Sequence, residues 1–196
     1  MVETITPAVH GGRRLGYWLS VGSHVIGATI AASALGLGLG AVGGLLGAPW
    51  AVWGSLAVAA AGGSYALRAA AGVPVPVPQR RRQVPDWWRT FFSPVTSSFL
   101  YGVGLGVGFV TFLSFGTFLV VAVVATSTGE ALLGAAVCAP FGAARALAVL
   151  LGSGCSDAEE GARVVDRIQA VGATRAPAAL NAAVLAAVAG GALAAL

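Results

Sequence analysis

The chain has 196 residues, 57% of them hydrophobic and only 9% charged, with a mean hydropathy of +0.86. Soluble domains carry about 25% charged residues, so this composition excludes an ordinary water-soluble globule and points to a bilayer as solvent. The formal charge of +4 comes from eleven basic side chains, all arginine, and seven carboxylates; the arginines flank apolar runs, which argues against nucleic acid as a partner.

A spanning helix needs about 20 predominantly apolar residues. Five runs qualify: 17–45, 49–71, 95–126, 130–151 and 176–196. The expected fold class is therefore all-α, a polytopic integral membrane protein with a single membrane domain over 1–196. The first run follows Arg13 and Arg14 and contains Ala32-Ser33-Ala34, which looks like a signal-peptidase site. A signal core is only about 7–15 residues long. This run continues to Gly44, so it reads as a retained helix. His24 lies about two to three turns into it. An ionisable group at bilayer depth is a functional candidate by default; the alternative is an inward-facing histidine with a satisfied ring.

The second run carries Arg68 near its end, and a cytoplasmic loop over 72–94 follows. Pro74, Pro76 and Pro78 alternate with valines, which predicts an extended, semi-rigid segment. Arg80, Arg81 and Arg82 then precede Trp87 and Trp88. Arginines favour anionic headgroups and tryptophans the interfacial belt, so these five residues read as a membrane-surface anchor or as a docking site for a protein partner. Ser93-Pro94 has the pattern of an N-cap followed by proline at the first helical position.

The third run carries Gly102, Gly104, Gly106 and Gly108, two interleaved small-x-x-x-small patterns, and a polar stripe of Thr111, Ser114 and Thr117. Gly36, Gly40 and Gly44 repeat in the first run, and Gly134, Cys138 and Gly142 in the fourth. Such stripes let helix backbones approach closely in lipid. Ser127-Thr128-Gly129-Glu130 resembles a capping box opening the fourth run. Within that run Pro140 predicts a kink, and Arg145 is expected near the cytoplasmic end, snorkelling or contacting an anion.

Ser156-Asp157-Ala158-Glu159 resembles a second capping box. Val164, Ile168 and Val171 then recur at helical spacing, which predicts an amphipathic interfacial helix over 157–171. The fifth run is the weakest span, because alanine adds little insertion energy and Asn181 opposes it.

All eleven arginines fall on one side of a five-span topology. The positive-inside rule then puts the protein in the plasma membrane, with its N-terminus cytoplasmic and its C-terminus outside. Cys138 and Cys155 form no C-x-x-C pair, so metal and thioredoxin-like signatures are absent. No second His, Asp or Glu lies within another span to complete a metal site. No catalytic constellation is present, and no cofactor is specified.

The segment "GVGLGVGFVTFLSFGTFLVVAVV" (102–124), followed by "LLGAAVCAPFGAARALAVLLGS" (132–153), resembles one repeat of the cytochrome c-biogenesis, disulfide-reductant membrane proteins (CcdA/DsbD-like), related to the LysE-type exporter superfamily. Residues 15–70 read as a degenerate copy of the same helix pair. The resemblance implies a small transporter-like or reductant-handling protein, with His24, Thr111, Ser114, Cys138 and Arg145 along a path. That family's relay uses a cysteine in each repeat, and Gly108-Phe109-Val110-Thr111 has none. A fainter likeness is to small membrane proteins encoded with methylamine-utilisation genes, which implies a part in delivering reductant. The alternative reading is a non-catalytic membrane subunit docking a partner through its arginine–tryptophan loop.

Overall fold

A computed structural model describes residues 5–11, 13–77, 87–108 and 116–196. Among these residues every regular element is helical. The α-helices are α1 (Arg14–Leu45), α2 (Val52–Ala71), α3 (Trp88–Phe91), α4 (Pro94–Gly106), α5 (Thr117–Ser127), α6 (Ala131–Leu147), α7 (Ala158–Ala173) and α8 (Arg175–Ala194). Short 3-10 turns occupy Ala8–His10 and Ala148–Gly152.

Among the described residues three stretches are long and apolar enough to cross a membrane: α1 with 32 residues, α6 with the turn that continues it (Ala131–Gly152), and α8 with 20 residues. Helix α2 has the length, but Gly62, Gly63, Ser64 and Arg68 dilute its apolar character. The third run is not one continuous helix as expected. It divides into α4, which ends at Gly106, and α5, which begins at Thr117. Neither piece alone reaches the about 20 residues of a crossing.

Helix α1 is the axis of the bundle and packs on α4, α5 and α6, while α2 packs on α8 and α5. Helix α5 thus joins the two groups. Glycines set the seams. A Cβ on Gly36 would stand 2.7 Å from the carbonyl carbon of Gly134, and one on Gly40 would stand 2.8 Å from that of Glu130. The two contacts run in opposite senses along the chain, so α1 and α6 are antiparallel. On another side of α1, Gly102 lies on the His24 backbone and Gly106 on that of Ala28. Both positions advance by four, so α1 and α4 are parallel. The glycine patterns seen in the sequence are these seams, and they act by admitting a neighbouring backbone.

The helix starts follow local chemistry. Ser93 caps α4, accepting from the Thr96 N–H at 3.3 Å, with Pro94 in the first helical position. Helix α7 begins one residue later than the expected box. Asp157 is the N-cap and accepts from the Glu160 N–H at 2.8 Å, while Glu160 accepts from the Ser156 N–H at 2.7 Å. Asp157 and Glu160 thus supply the capping oxygens in place of the expected Ser156 and Glu159, with Ser156 the residue that Glu160 reaches back to, because aspartate competes well with serine for the N-cap. The box expected at Ser127–Glu130 does not form. Ser127 is the last residue of α5, and the Thr128 hydroxyl accepts from the Glu130 N–H at 3.3 Å. Gly129, with φ +65°, makes the reversal between α5 and α6.

Candidate functional site

Where α4 stops and α5 starts, backbone groups lose their helical partners, and inside an apolar bundle they require others. A side chain from another helix supplies one. The Arg145 guanidinium, from α6, donates to the carbonyl oxygen of Leu105 at 3.0 Å in the last turn of α4. A cation at a helix C-terminus is also favoured by the helix dipole. At the other edge of the break the Thr117 hydroxyl, on the first residue of α5, donates to the side-chain oxygen of Asn181 from α8. Asn181 costs insertion energy as a lone polar group, and here it ties α8 to α5 instead.

Aromatic rings pack beside both ends. The Phe118 ring lies against Gly108, and its centroid is 5.8 Å from that of Phe141. The Arg145 guanidinium sits 5.8 Å from the Phe141 centroid. A Cβ on Gly116 would run into the Tyr65 ring, so that ring closes directly over the Gly116 backbone. The Tyr65 hydroxyl donates to the carbonyl of Pro76 at 2.9 Å, and Arg68 donates to that of Val75. The proline–valine segment thus folds back along α2 rather than extending away from it.

His24 is 1% exposed, and its Nδ1 lies 3.1 Å from the carbonyl oxygen of Ser98 on α4. Cys138 is buried with Ala32 and Ala125, backed by Leu39, Val121 and Val137. Arg145 turns sideways to α4 rather than back towards a helix end. His24, Cys138 and Arg145 therefore occupy three different contacts: the α1–α4 seam, an apolar cluster, and the broken end of α4. Thr111 and Ser114 lie outside the described residues, as do Arg80, Arg81 and Arg82. Trp87 is 52% exposed and stacks edge-on against Trp88 and Phe91. Trp88 packs on Tyr101, and its carbonyl accepts from Ser97 at 2.8 Å. The aromatic pair is built into the start of α4.

The sequence reading passed over several of these participants. His10 bridges the Thr6 carbonyl at 2.9 Å and the Ser20 hydroxyl at 2.8 Å, pinning the N-terminal turn to α1. Tyr65 carries no signal in local sequence, whereas Thr117 is a member of the polar stripe and makes a helix–helix hydrogen bond to Asn181. Among the described residues no group of three His, Cys, Asp or Glu side chains is placed to hold a metal. Both cysteines are buried free thiols. The arrangement satisfies a discontinuous helix; it presents no acid–base pair.

The chain is 41% identical over 91 residues to the methylamine utilization protein MauF of Methylorubrum extorquens, a match covering 46% of this chain and 32% of the relative. It is 30% identical over 151 residues to MauF of Paracoccus versutus, covering 76% of this chain and 55% of that protein. With MauF of Methylophilus methylotrophus it shares 37% identity over 131 residues, or 65% of this chain and 45% of the relative. The chain thus spans from about a third to about half the length of these relatives. No family model matches, and no solved structure matches.

These relatives correct the main likeness drawn from sequence. They are named for methylamine utilisation, and not for cytochrome c biogenesis, disulfide reduction or export. The glycine-rich pattern that carried the likeness reflects seam packing, in which Gly102 and Gly106 meet the backbones of His24 and Ala28. With it fall the transporter and reductant-handling readings, and the partner-docking anchor gains no support. The fainter of the two likenesses, to proteins encoded with methylamine-utilisation genes, is the one that these three proteins carry, without its reductant implication.

Proposed function

We propose that the chain is a membrane-embedded accessory protein of bacterial methylamine utilisation, acting as a close-packed helical framework of the MauF kind. The observation that carries this reading is the 30% identity to the Paracoccus versutus protein over 76% of the chain. The bilayer is its first partner. The protein lies in the plasma membrane and crosses it five times: by α1, by α2, by α4 and α5 in series, by α6, and by α8. Arginine placement supports a cytoplasmic N-terminus and an external C-terminus.

The test uses a Paracoccus versutus strain lacking its own MauF. In that strain a chimera is expressed in which this chain replaces the matching 151-residue stretch. The chimera is expected to restore growth with methylamine as carbon source. Failure to do so at normal membrane abundance would overturn the assignment. Alkaline phosphatase joined after Leu196 should be active and joined after Gly72 inactive; the reverse pattern would overturn the topology alone.

A further inference from the structure

Helix α7 contributes almost nothing to the bundle. Its main neighbours are the 3-10 turn before it and helix α8 after it. Its apolar side chains Val164, Ile168 and Val171 are spaced four and three apart, which places them in one stripe. Ile168 remains 37% exposed and Val171 53% exposed. Both flanking elements, Ala131–Gly152 and Arg175–Ala194, are long and apolar enough to cross a membrane. The connection between them must then lie at a single membrane face. Thr174 has extended backbone, φ −77° and ψ 166°, which makes a corner between α7 and α8 rather than one continuous rod. The start of α7 is fixed by the Asp157 and Glu160 caps. The helix carries Glu159, Glu160 and Asp166 against Arg163 and Arg167, so its charge gives anionic headgroups nothing to attract.

We propose that α7 lies in the plane of the membrane surface, with Val164, Ile168 and Val171 sunk into the boundary between headgroups and acyl chains, and that apolar contact rather than charge holds it there. Helices of this kind bury their apolar face about 5–10 Å into that boundary. The stripe is thus a lipid-binding surface. It fixes the depth at which the alanine-rich α8 enters the bilayer. This placement rests on the crossing of the membrane by α6 and α8.

The test places an environment-sensitive fluorophore at Ile168→Cys, Val171→Cys, Asp166→Cys or Gln169→Cys. The full chain carries Cys138→Ala and Cys155→Ala and is reconstituted in phosphatidylcholine nanodiscs. The first two positions should be quenched by lipids spin-labelled high on the acyl chain and protected from aqueous iodide. The other two should answer to iodide alone. Replacing a portion of the lipid by phosphatidylglycerol should leave the pattern unchanged. Equal iodide quenching at all four positions would overturn the proposal. So would protection of Ile168 and Val171 from both quenchers, which would mean a second copy covers the stripe, and so would quenching that requires anionic lipid. The same pattern must appear with Cys155 retained, a residue 2% exposed and sheltered from labelling. A chain that stays monodisperse without detergent would instead remove the membrane reading beneath it.

Discussion

Gly36 and Gly134 face each other across the α1–α6 seam with no room for a side chain on either. A Cβ on Gly36 would lie 2.7 Å from the Gly134 carbonyl carbon, and one on Gly134 would lie 3.1 Å from that of Gly36. The obstacles are backbone atoms, which move only if a helix moves. Gly36→Ala and Gly134→Ala should each cost about 1–3 kcal/mol as overpacked sites do, with Leu worse at either. Thermal unfolding in detergent, followed by circular dichroism, measures the loss. Gly38, on the same helix with open space around it, is the control. Gly38→Ala should leave the midpoint unchanged or slightly raised, since alanine is the better helix former.

Arg145 should matter because it serves the end of α4. Arg145→Ala removes the donor to the Leu105 carbonyl, which keeps the Gly108 N–H at 3.2 Å, so the loss should be that of one net hydrogen bond, about 0.5–1.5 kcal/mol. Arg145→Lys should recover part of this loss, since a flexible ammonium can reach one carbonyl but lacks the planar, delocalised guanidinium that stands 5.8 Å from the Phe141 centroid. Hydrogen exchange by mass spectrometry should show faster exchange in peptides covering residues 98–108, with α8 unaffected. Uniform loosening of the whole bundle would refute this local role.

Glu160 gives α7 an acid-sensitive beginning. Hydrogen bonds from the Ser156 N–H, and then from the Ser156 hydroxyl, hold its carboxyl below the ordinary value of 4.5. Because folding lowers this pKa, the stabilisation is complete at neutral pH. It is lost as the pH falls through the lowered value, when the proton displaces the accepted hydrogen bonds. Exchange protection at the start of α7, corrected for intrinsic rates, should fall below the ordinary carboxylate range. Glu160→Gln should show weakened protection already at pH 7 and little further change on acidification.

The cysteines should prove chemically silent. Cys138 and Cys155 are each 2% exposed, and Cys138 sits among apolar side chains. In native membranes neither should react with a membrane-permeant maleimide, and both should react after denaturation. Cys138→Ala should cost about 1 kcal/mol or somewhat more as a small cavity and leave the growth conferred by the chimera intact. Loss of growth with normal abundance and folding would place a thiol in the function after all.

What the sequence revealed was governed by solvent and by local chemistry. Hydropathy exposes helical segments because a bilayer satisfies backbone groups only within helices or closed barrels, and Ser93-Pro94 is a signal carried by adjacent residues. The glycine stripes told that helices would approach closely, as Gly36 and Gly134 do. They misled about ancestry, since many bundles reach the same packing by the same residues. The interruption of the third run was hidden for a different reason. Residues 95–126 carry no charge and no internal proline, and the glycines at 102–108 read equally well as packing positions, although Gly108, at φ +78°, stands just past the end of α4 where glycine stops helices. Arg145, which bonds the last turn of α4, and Asn181, which bonds the first residue of α5, come from 40 and 64 positions away along the chain, and their pairing is a product of assembly. The one-residue displacement at α7 is smaller in kind: two adjacent residues, Ser156 and Asp157, are both good caps, and the aspartate takes the position.

The glycine seams on two sides of α1 have a mechanical corollary. A rod whose neighbours rest on its bare backbone cannot turn about its axis without driving carbonyl oxygens together, and it cannot slide without passing through the same collision. Any shape change this protein undergoes must therefore take place around a stationary axle, among α2, α7 and α8. Evolutionary drift is confined the same way, because side-chain volume can be gained only at positions that face away from the seams.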